Sequence, residues 1–157
     1  MRRISMGLIA GMLCAGLAPL SAQSVHDEIT LTREQIETER QEIMTLNLQL
    51  SEAESKVFWP LYREYRGEMA ALGDRFVKLL EDYATKYETL TDVDAAAMID
   101  EMLSIQASEN KIMARYAGKM QKAVPAKTVA RCLQIENQLN HLLRALVADE
   151  IPLVKNK

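Results

Sequence analysis

The sequence contains little glycine, proline or cysteine. Among its 157 residues there are six glycines, four prolines and two cysteines, and only Cys132 follows the first 24 residues. Because tight turns depend on glycine and proline, their scarcity disfavours an all-β protein and favours long helices. A single cysteine excludes an intramolecular disulfide in the main part of the chain, so Cys132 is either a buried thiol or the site of an intermolecular bridge.

The longest apolar run is confined to the beginning of the chain. Arg2 and Arg3 precede this run at residues 4–20, and small residues follow it. This order is typical of a secretory signal peptide, with cleavage after Ser24 or, alternatively, after Ala22. The run is short for a membrane span and contains three glycines and a proline, which disfavours a permanent anchor.

The sequence therefore predicts four segments: a signal peptide (1–24), an N-terminal arm (25–31), a helical domain (32–151) and a C-terminal tail (152–157). We expect the mature protein to be periplasmic and without stable membrane insertion, because no later apolar run is long enough for a span. Cleavage after residue 24 removes two arginines and no acidic residue, so the net charge changes from −3 to −5. This acidic balance predicts no nucleic-acid partner.

Helix starts are indicated by capping boxes, in which two side chains three residues apart bond each other's backbone N–H groups. The boxes lie at Thr32 and Gln35, at Ser51 and Glu54, and at Thr91 and Asp94. A fourth helix follows Pro125, because proline is tolerated in the first turn, and Pro152 ends it. The predicted helices cover 33–46, 52–88, 92–123 and 126–150.

Apolar residues recur at steps of three and four in the last three helices, which places them on one face of each helix. The second helix carries Val57, Leu61, Tyr65, Met69, Leu72, Phe76, Leu79, Tyr83 and Tyr87. The third carries Ala95, Met98, Met102, Ile105, Ile112, Tyr116 and Met120, and the fourth carries Val129, Cys132, Leu139, Leu143, Leu146 and Val147. The central position of Cys132 on its face favours a buried, unreactive thiol.

The connections between these helices are short, which makes consecutive helices antiparallel neighbours. No strand-like alternation competes with the helical pattern. The sequence thus predicts an all-α fold, an elongated four-helix hairpin assembly with two long antiparallel helices. A long, thin bundle leaves much of its apolar faces uncovered, so we expect a cradle-like homodimer.

The segment FWPLYREY, residues 58–65, places Pro60 within the second helix. Proline removes a backbone hydrogen bond and crowds the carbonyl four residues earlier, at Lys56. Because the apolar face keeps its phase across Pro60 and the proline falls on the solvent side, we predict a bend; the alternative is a break after a short helix at 52–58. We expect Trp59 to pack against the first helix or the arm; alternatively, it is an apolar contact for a partner.

A leucine precedes each capping box, giving LTREQ (31–35), LSEAE (50–54) and LTDVD (90–94). Together with FWPLYREY, these segments resemble the Spy/CpxP (LTxxQ) family of periplasmic helical proteins, in particular exported members with an FWPLYxEY segment. The resemblance implies a four-helix, cradle-shaped homodimer that binds unfolding clients without ATP; other members moderate a stress sensor or bind metal. The chain departs from the chaperone members in its acidic charge, and from the metal-binding members in lacking histidine-rich segments.

No motif for enzymatic chemistry or for a cofactor is present. The sequence lacks a phosphate loop, a dinucleotide fingerprint and a nucleophile–histidine arrangement, so we predict a protein that is not an enzyme and has no cofactor. His26 and His141 stand apart from each other and from any cysteine at zinc spacing. We interpret Met98 and Met102, one turn apart, as core residues; the alternatives are an adaptable client surface and a Cu(I) site.

Two carboxylates interrupt the apolar faces, Glu109 on the third helix and Glu136 on the fourth. Because an unpaired buried carboxylate is costly, we predict that they pair with Arg66, Arg75 or Arg131 in a buried polar network, or open onto a dimer interface. The alternatives are a general acid–base pair and a cation site.

These observations lead to the hypothesis that the protein binds partly unfolded envelope proteins without ATP, through many weak contacts. The candidate client surface comprises Trp59, Leu61, Tyr62, Tyr65, Met98 and Met102. One alternative is a regulatory or scaffold module that docks one defined envelope partner. Another is a metal-binding resistance protein.

Overall fold

The computed structural model describes residue 36 and residues 38–148 and 151–155, and it confirms the all-α fold. Helix α1 covers 38–48, and it is followed by α2 (Glu52–Lys86), α3 (Asp92–Met120) and α4 (Ala126–Ala148). These residues include no strand. The predicted starts of α2, α3 and α4 coincide with the observed ones, and the predicted ends of α2 and α3 lie two or three residues too far along the chain.

Several predictions concern residues outside this description. They are the signal peptide (1–24), the arm (25–31), the capping box at Thr32 and Gln35, and the position of the Leu146 side chain. Among the helices that are described, none has a stretch long and apolar enough to cross a bilayer.

Capping boxes begin α2 and α3, as predicted. The Ser51 hydroxyl accepts a hydrogen bond from the Glu54 N–H at 3.3 Å, and the Glu54 carboxylate accepts one from the Ser51 N–H at 2.9 Å. Thr91 and Asp94 form the same arrangement at α3. Asp94 also accepts a hydrogen bond from Lys86 at the end of α2, and the bonds from Lys86 and Thr91 lower the pKa of Asp94 to about 2. Asp94 therefore caps α3 and holds its start against the end of α2.

Side-chain pairs along α2 and α3 define their register. Near the middle of the pair, Arg75 donates two hydrogen bonds to Glu101, at 2.9 and 3.0 Å. Nearer the start of α2, the Tyr116 hydroxyl donates to Glu68 at 2.7 Å. Residue numbers along α3 therefore rise as those along α2 fall, which confirms the two long antiparallel helices.

Helix α4 runs parallel to α2. Its residue Glu136 contacts Tyr62 in the first half of α2, and Val147 packs with Val77 and Leu80 in the second half. Because α4 ends at Ala148, the last turns of α2 and the first turns of α3 extend past its end.

Pro60 lies inside α2 without ending it. The helix is continuous from Glu52 to Lys86, so the alternative of a break is wrong. Pro60 is exposed, as predicted, and its ring therefore takes up no space in the core.

The largest core lies where α1, α3 and α4 all pack against the first half of α2. Phe58 stacks on Tyr62 with ring centroids 5.6 Å apart, and Tyr65 meets Tyr116 of α3 edge-on at 5.8 Å. Such aromatic pairs contribute stability beyond the apolar area that they bury. The buried residues of this core are Met44, Leu48, Phe58, Tyr62, Tyr65, Met69, Tyr116, Met120, Val124, Val129, Cys132 and Ile135.

The predicted apolar face of α2 is confirmed at Tyr65 and Met69 in this region but is wrong at its first residue. Val57, predicted to be buried, is 45% exposed, whereas its neighbour Phe58 is fully buried. A helix with one partner buries a single narrow face, but this part of α2 has three partners. Its buried surface is therefore wider and turned towards Phe58 and Tyr62.

The first capping box provides a test of the α2 boundary. We expect Ser51→Ala to lower the free energy of unfolding by about 1 kcal/mol, because the Glu54 N–H loses its acceptor. Ser51→Asp keeps an acceptor at the same position and should leave stability within about 0.5 kcal/mol of the parent protein. Urea unfolding followed by circular dichroism measures both. Equal stability of all three proteins would show that α2 does not depend on this cap.

Candidate functional site

Predicted functional residues gather at two places, a buried polar cluster and an apolar groove. The polar cluster consists of Glu136 and its three donors. The Glu136 carboxylate accepts hydrogen bonds from Arg40 at 2.7 Å, from Arg66 at 3.3 Å and from the Tyr62 hydroxyl at 2.6 Å. Glu136 is 1% exposed. Side chains of α1 and α2 therefore meet on one carboxylate of α4.

Burial governs the chemistry of the groups around this cluster. Desolvation, with a further contribution from the Glu136 charge, raises the pKa values of Tyr62 and Tyr65. The same two causes raise the pKa of the Cys132 thiol to about 12. Because a thiol nucleophile reacts as its thiolate, Cys132 is a structural side chain, as the sequence predicts.

The cluster is suited to holding helices together. The Glu136 carboxylate is engaged by three donors and is 1% exposed, so a substrate in solution has no access to it. The Tyr65 hydroxyl lies within the same core and has no hydrogen-bond partner among the described residues. We find no geometry here for acid–base chemistry.

The predicted polar network is only partly correct. The structure brings Glu136 and Arg66 together, as predicted. Arg75 instead pairs with Glu101, and Arg131 is exposed. Glu109 pairs with Arg144 of α4 at a position that is partly open to solvent. The two carboxylates therefore have different partners, Arg40 and Arg66 for Glu136 and Arg144 for Glu109.

Arg40 and the Tyr62 hydroxyl are the members of the cluster that the sequence analysis missed. Arg40, Met44 and Leu48 are all buried, and they recur every four residues along α1. This spacing is the signal of one buried face, and it was available in the sequence. An arginine on such a face indicates a buried acceptor, because a buried charge needs a partner.

The second place is an apolar groove of about 550 Å³ at the end of the α2–α3 hairpin where the two helices are connected. Met98 and Met102 line it as half-buried side chains, and Ile99 and Leu103 at its rim are 59% and 57% exposed. The groove exists because α4 stops short of this end of the hairpin. Its remaining lining residues are Phe76, Leu79, Leu80, Tyr83, Leu90, Ala95, Ala148, Ile151, Pro152, Leu153 and Val154.

The candidate client surface divides between the groove and the core. Met98 and Met102 line the groove. Tyr62 and Tyr65 are 4% and 1% exposed, so the prediction that they belong to an accessible surface is wrong. The reason is that α1 and α4 cover them, and Glu136 uses the Tyr62 hydroxyl.

Leu61 and Trp59 occupy an intermediate position. Both are half-buried against the largest core. Trp59 meets the ring of Phe58 edge-on at 5.3 Å, in the core that also contains Met44 and Leu48 of α1. Trp59 therefore packs on the largest core, and its contact with the first helix stays a prediction.

Ile99 and Leu103 are two of the groove residues that the sequence analysis missed. Each follows a predicted residue, Met98 or Met102, so the apolar surface of α3 is two positions wide at this end. An apolar face two positions wide is broader than packing against one partner helix requires. This width was the signal in the sequence for Ile99 and Leu103.

The described residues contain no group of three or more His, Cys, Asp and Glu side chains placed to hold a metal ion. Comparisons with protein-family models, curated proteins and solved structures find no match to the chain. The resemblance to the Spy/CpxP family therefore stays a prediction from short motifs.

The polar cluster can be tested against the more exposed ion pair. We expect Glu136→Gln to lower the free energy of unfolding by about 3–5 kcal/mol, because it leaves the buried Arg40 charge and the half-buried Arg66 charge without their carboxylate. Glu109→Gln removes a carboxylate from a partly exposed pair and should cost at most about 1 kcal/mol. Urea unfolding at neutral pH measures both. Losses of equal size would contradict the structural role assigned to Glu136.

Proposed function

We propose that the protein is an exported, ATP-independent chaperone-like protein that binds partly unfolded envelope proteins through the apolar groove. The groove is the single observation that carries this proposal. It is open to solvent, and its lining is formed almost entirely by apolar side chains from α2, α3 and residues 151–154. Exposed apolar surface of this kind is characteristic of interaction sites.

The composition of the groove favours a broad range of ligands. Specific small-molecule sites add a few placed polar groups to an apolar pocket, because these fix the orientation of the ligand. Methionine side chains, by contrast, are flexible and polarizable, and they adapt to differently shaped apolar partners. Met98 and Met102 in the wall support loose recognition of apolar segments.

Charged residues beside the groove support the same proposal. A neighbouring cleft shares Leu79 and Met98 with the groove and is otherwise lined mainly by charged side chains. Arg75 and Glu101 pair there, as do Lys86 and Asp94. A rim of both charge signs keeps a bound apolar segment in a soluble complex.

The absence of catalysis in this proposal rests on the buried cluster. Its carboxylate is occupied by three donors, and the Cys132 thiol is held in its protonated form. Export rests on the predicted signal peptide, and the envelope-stress context rests on the family resemblance of the helix starts.

An aggregation assay tests the proposal directly. We expect near-stoichiometric protein to suppress the aggregation of several unrelated reduced or acid-unfolded proteins. Ile99→Glu should weaken protection about tenfold, because the loss of about 1.4 kcal/mol of apolar contact corresponds to that factor. Leu142→Glu is the matched control, since Leu142 on α4 is similarly exposed, at 52%, but does not line the groove.

Two outcomes would contradict the proposal. One is protection of none of the tested proteins, together with capture of one defined partner, which would favour a docking module. The other is equal loss of protection in Ile99→Glu and Leu142→Glu, which would remove the groove from the mechanism.

A further inference from the structure

Residues 151–155, which we call the strap, lie across the end of α2 and are neither helix nor strand. The Tyr83 hydroxyl donates a hydrogen bond to the carbonyl oxygen of Pro152 at 2.8 Å, and the Tyr87 hydroxyl donates to that of Leu153 at 3.2 Å. Lys155 pairs with Glu88. Pro152 favours an extended chain here, because its ring disfavours helical geometry in the residue before it.

The strap also forms one side of the apolar groove. Ile151 packs against the Val77 and Leu80 cluster. The next apolar side chains remain in solvent, with Leu153 at 89% and Val154 at 57% exposure. Between Ile151 and Lys155 the strap is therefore attached to α2 mainly by its main chain, while the side chains of Leu153 and Val154 contribute little burial.

The two tyrosine hydroxyls bind main-chain carbonyls, which all polypeptides have. Every residue has a main-chain carbonyl, so the Tyr83 and Tyr87 hydroxyls can donate hydrogen bonds to an extended segment of any sequence that lies across the end of α2. The adjoining groove adds apolar contacts for side chains of the same segment. An extended apolar peptide offers both groups, whereas a folded domain has already used them internally.

We propose that the strap is a displaceable occupant of the site, and that the ligand is an extended apolar segment of another polypeptide. When this ligand binds, its main-chain carbonyls replace those of Pro152 and Leu153 at the hydroxyls of Tyr83 and Tyr87. Its side chains enter the groove beside Met98. This inference rests on the proposed function and names the ligand class of that function.

The strap is held weakly enough to be displaced. The Lys155–Glu88 pair is exposed on both sides, and such pairs contribute little to stability. Because the strap belongs to the same chain, it nevertheless competes at a high effective concentration. Ligands that bury more apolar surface than Leu153 and Val154 should displace it, and weaker ligands should be excluded.

Fluorescence anisotropy can measure this competition with a labelled, amidated peptide of sequence Ile-Pro-Leu-Val. Lys155→Glu places two acidic side chains together and should release the strap. We expect this variant to bind the peptide about tenfold more tightly than the parent chain, because a competitor in the same chain has been weakened. The double variant Glu88→Lys/Lys155→Glu restores an opposite-charge pair and should return the affinity most of the way to the parent value, because the contact of the Lys155 ammonium with the Tyr87 ring, at 5.0 Å, is not restored.

A second pair of variants tests the tyrosines. A chain lacking residues 151–157 should bind the peptide at least as tightly as Lys155→Glu. Adding Tyr83→Phe and Tyr87→Phe to that chain should weaken binding severalfold while its circular dichroism spectrum stays the same. If the shortened chain fails to fold, the two charge variants decide the question alone.

The inference is overturned if peptide affinity is the same in the parent and in Lys155→Glu, or if releasing the strap weakens binding. Should the parent protein still suppress aggregation in that case, the proposed function stands and the strap is a fixed wall of the groove. If no form binds the peptide and the parent protein gives no protection, the proposed function fails as well.

Discussion

The burial of Glu136 is the constraint on which the arrangement of the helices depends. Its carboxylate lies out of contact with water and accepts hydrogen bonds from Arg40 of α1 and from Tyr62 and Arg66 of α2. A buried carboxylate is tolerated only when such donors are in place, so the three helices must meet at this level. This requirement sets the position of α4 along α2. It also determines where α4 ends relative to the α2–α3 hairpin.

The two ends of the hairpin differ as a consequence. Around Tyr65 and Cys132, four helices close over a core of aromatic and apolar side chains. At the other end, around Met98, two helices and the strap leave an apolar groove open to solvent. The closed end supplies the stability that the open end lacks, because groove residues such as Ile99, Leu103 and Leu153 stay exposed after folding. Binding surface and stabilising core are thus separated along one pair of helices.

Sequence patterns predicted the helices better than the number of other helices that pack against each of them. The boxes at Ser51 and Thr91 fixed two helix starts because capping is a local interaction between residues three positions apart. The Glu136–Arg66 pair followed from the cost of a buried charge. The accessible position predicted for Tyr62 was wrong, and Arg40 was missed, because periodicity identifies an apolar face without revealing how many helices cover it. The number of neighbours is a tertiary property that the spacing of residues along one helix does not contain.

The separation of core and groove can be tested by NMR of methionine methyl groups, labelled with carbon-13 and titrated with a reduced, unfolded protein. Met98 and Met102 line the groove, whereas Met44 and Met120 are 0% and 1% exposed in the core. We expect the signals of Met98 and Met102 to shift or broaden on titration while those of Met44 and Met120 stay unchanged. Unchanged signals for Met98 and Met102, or equal changes at all four residues, would contradict it.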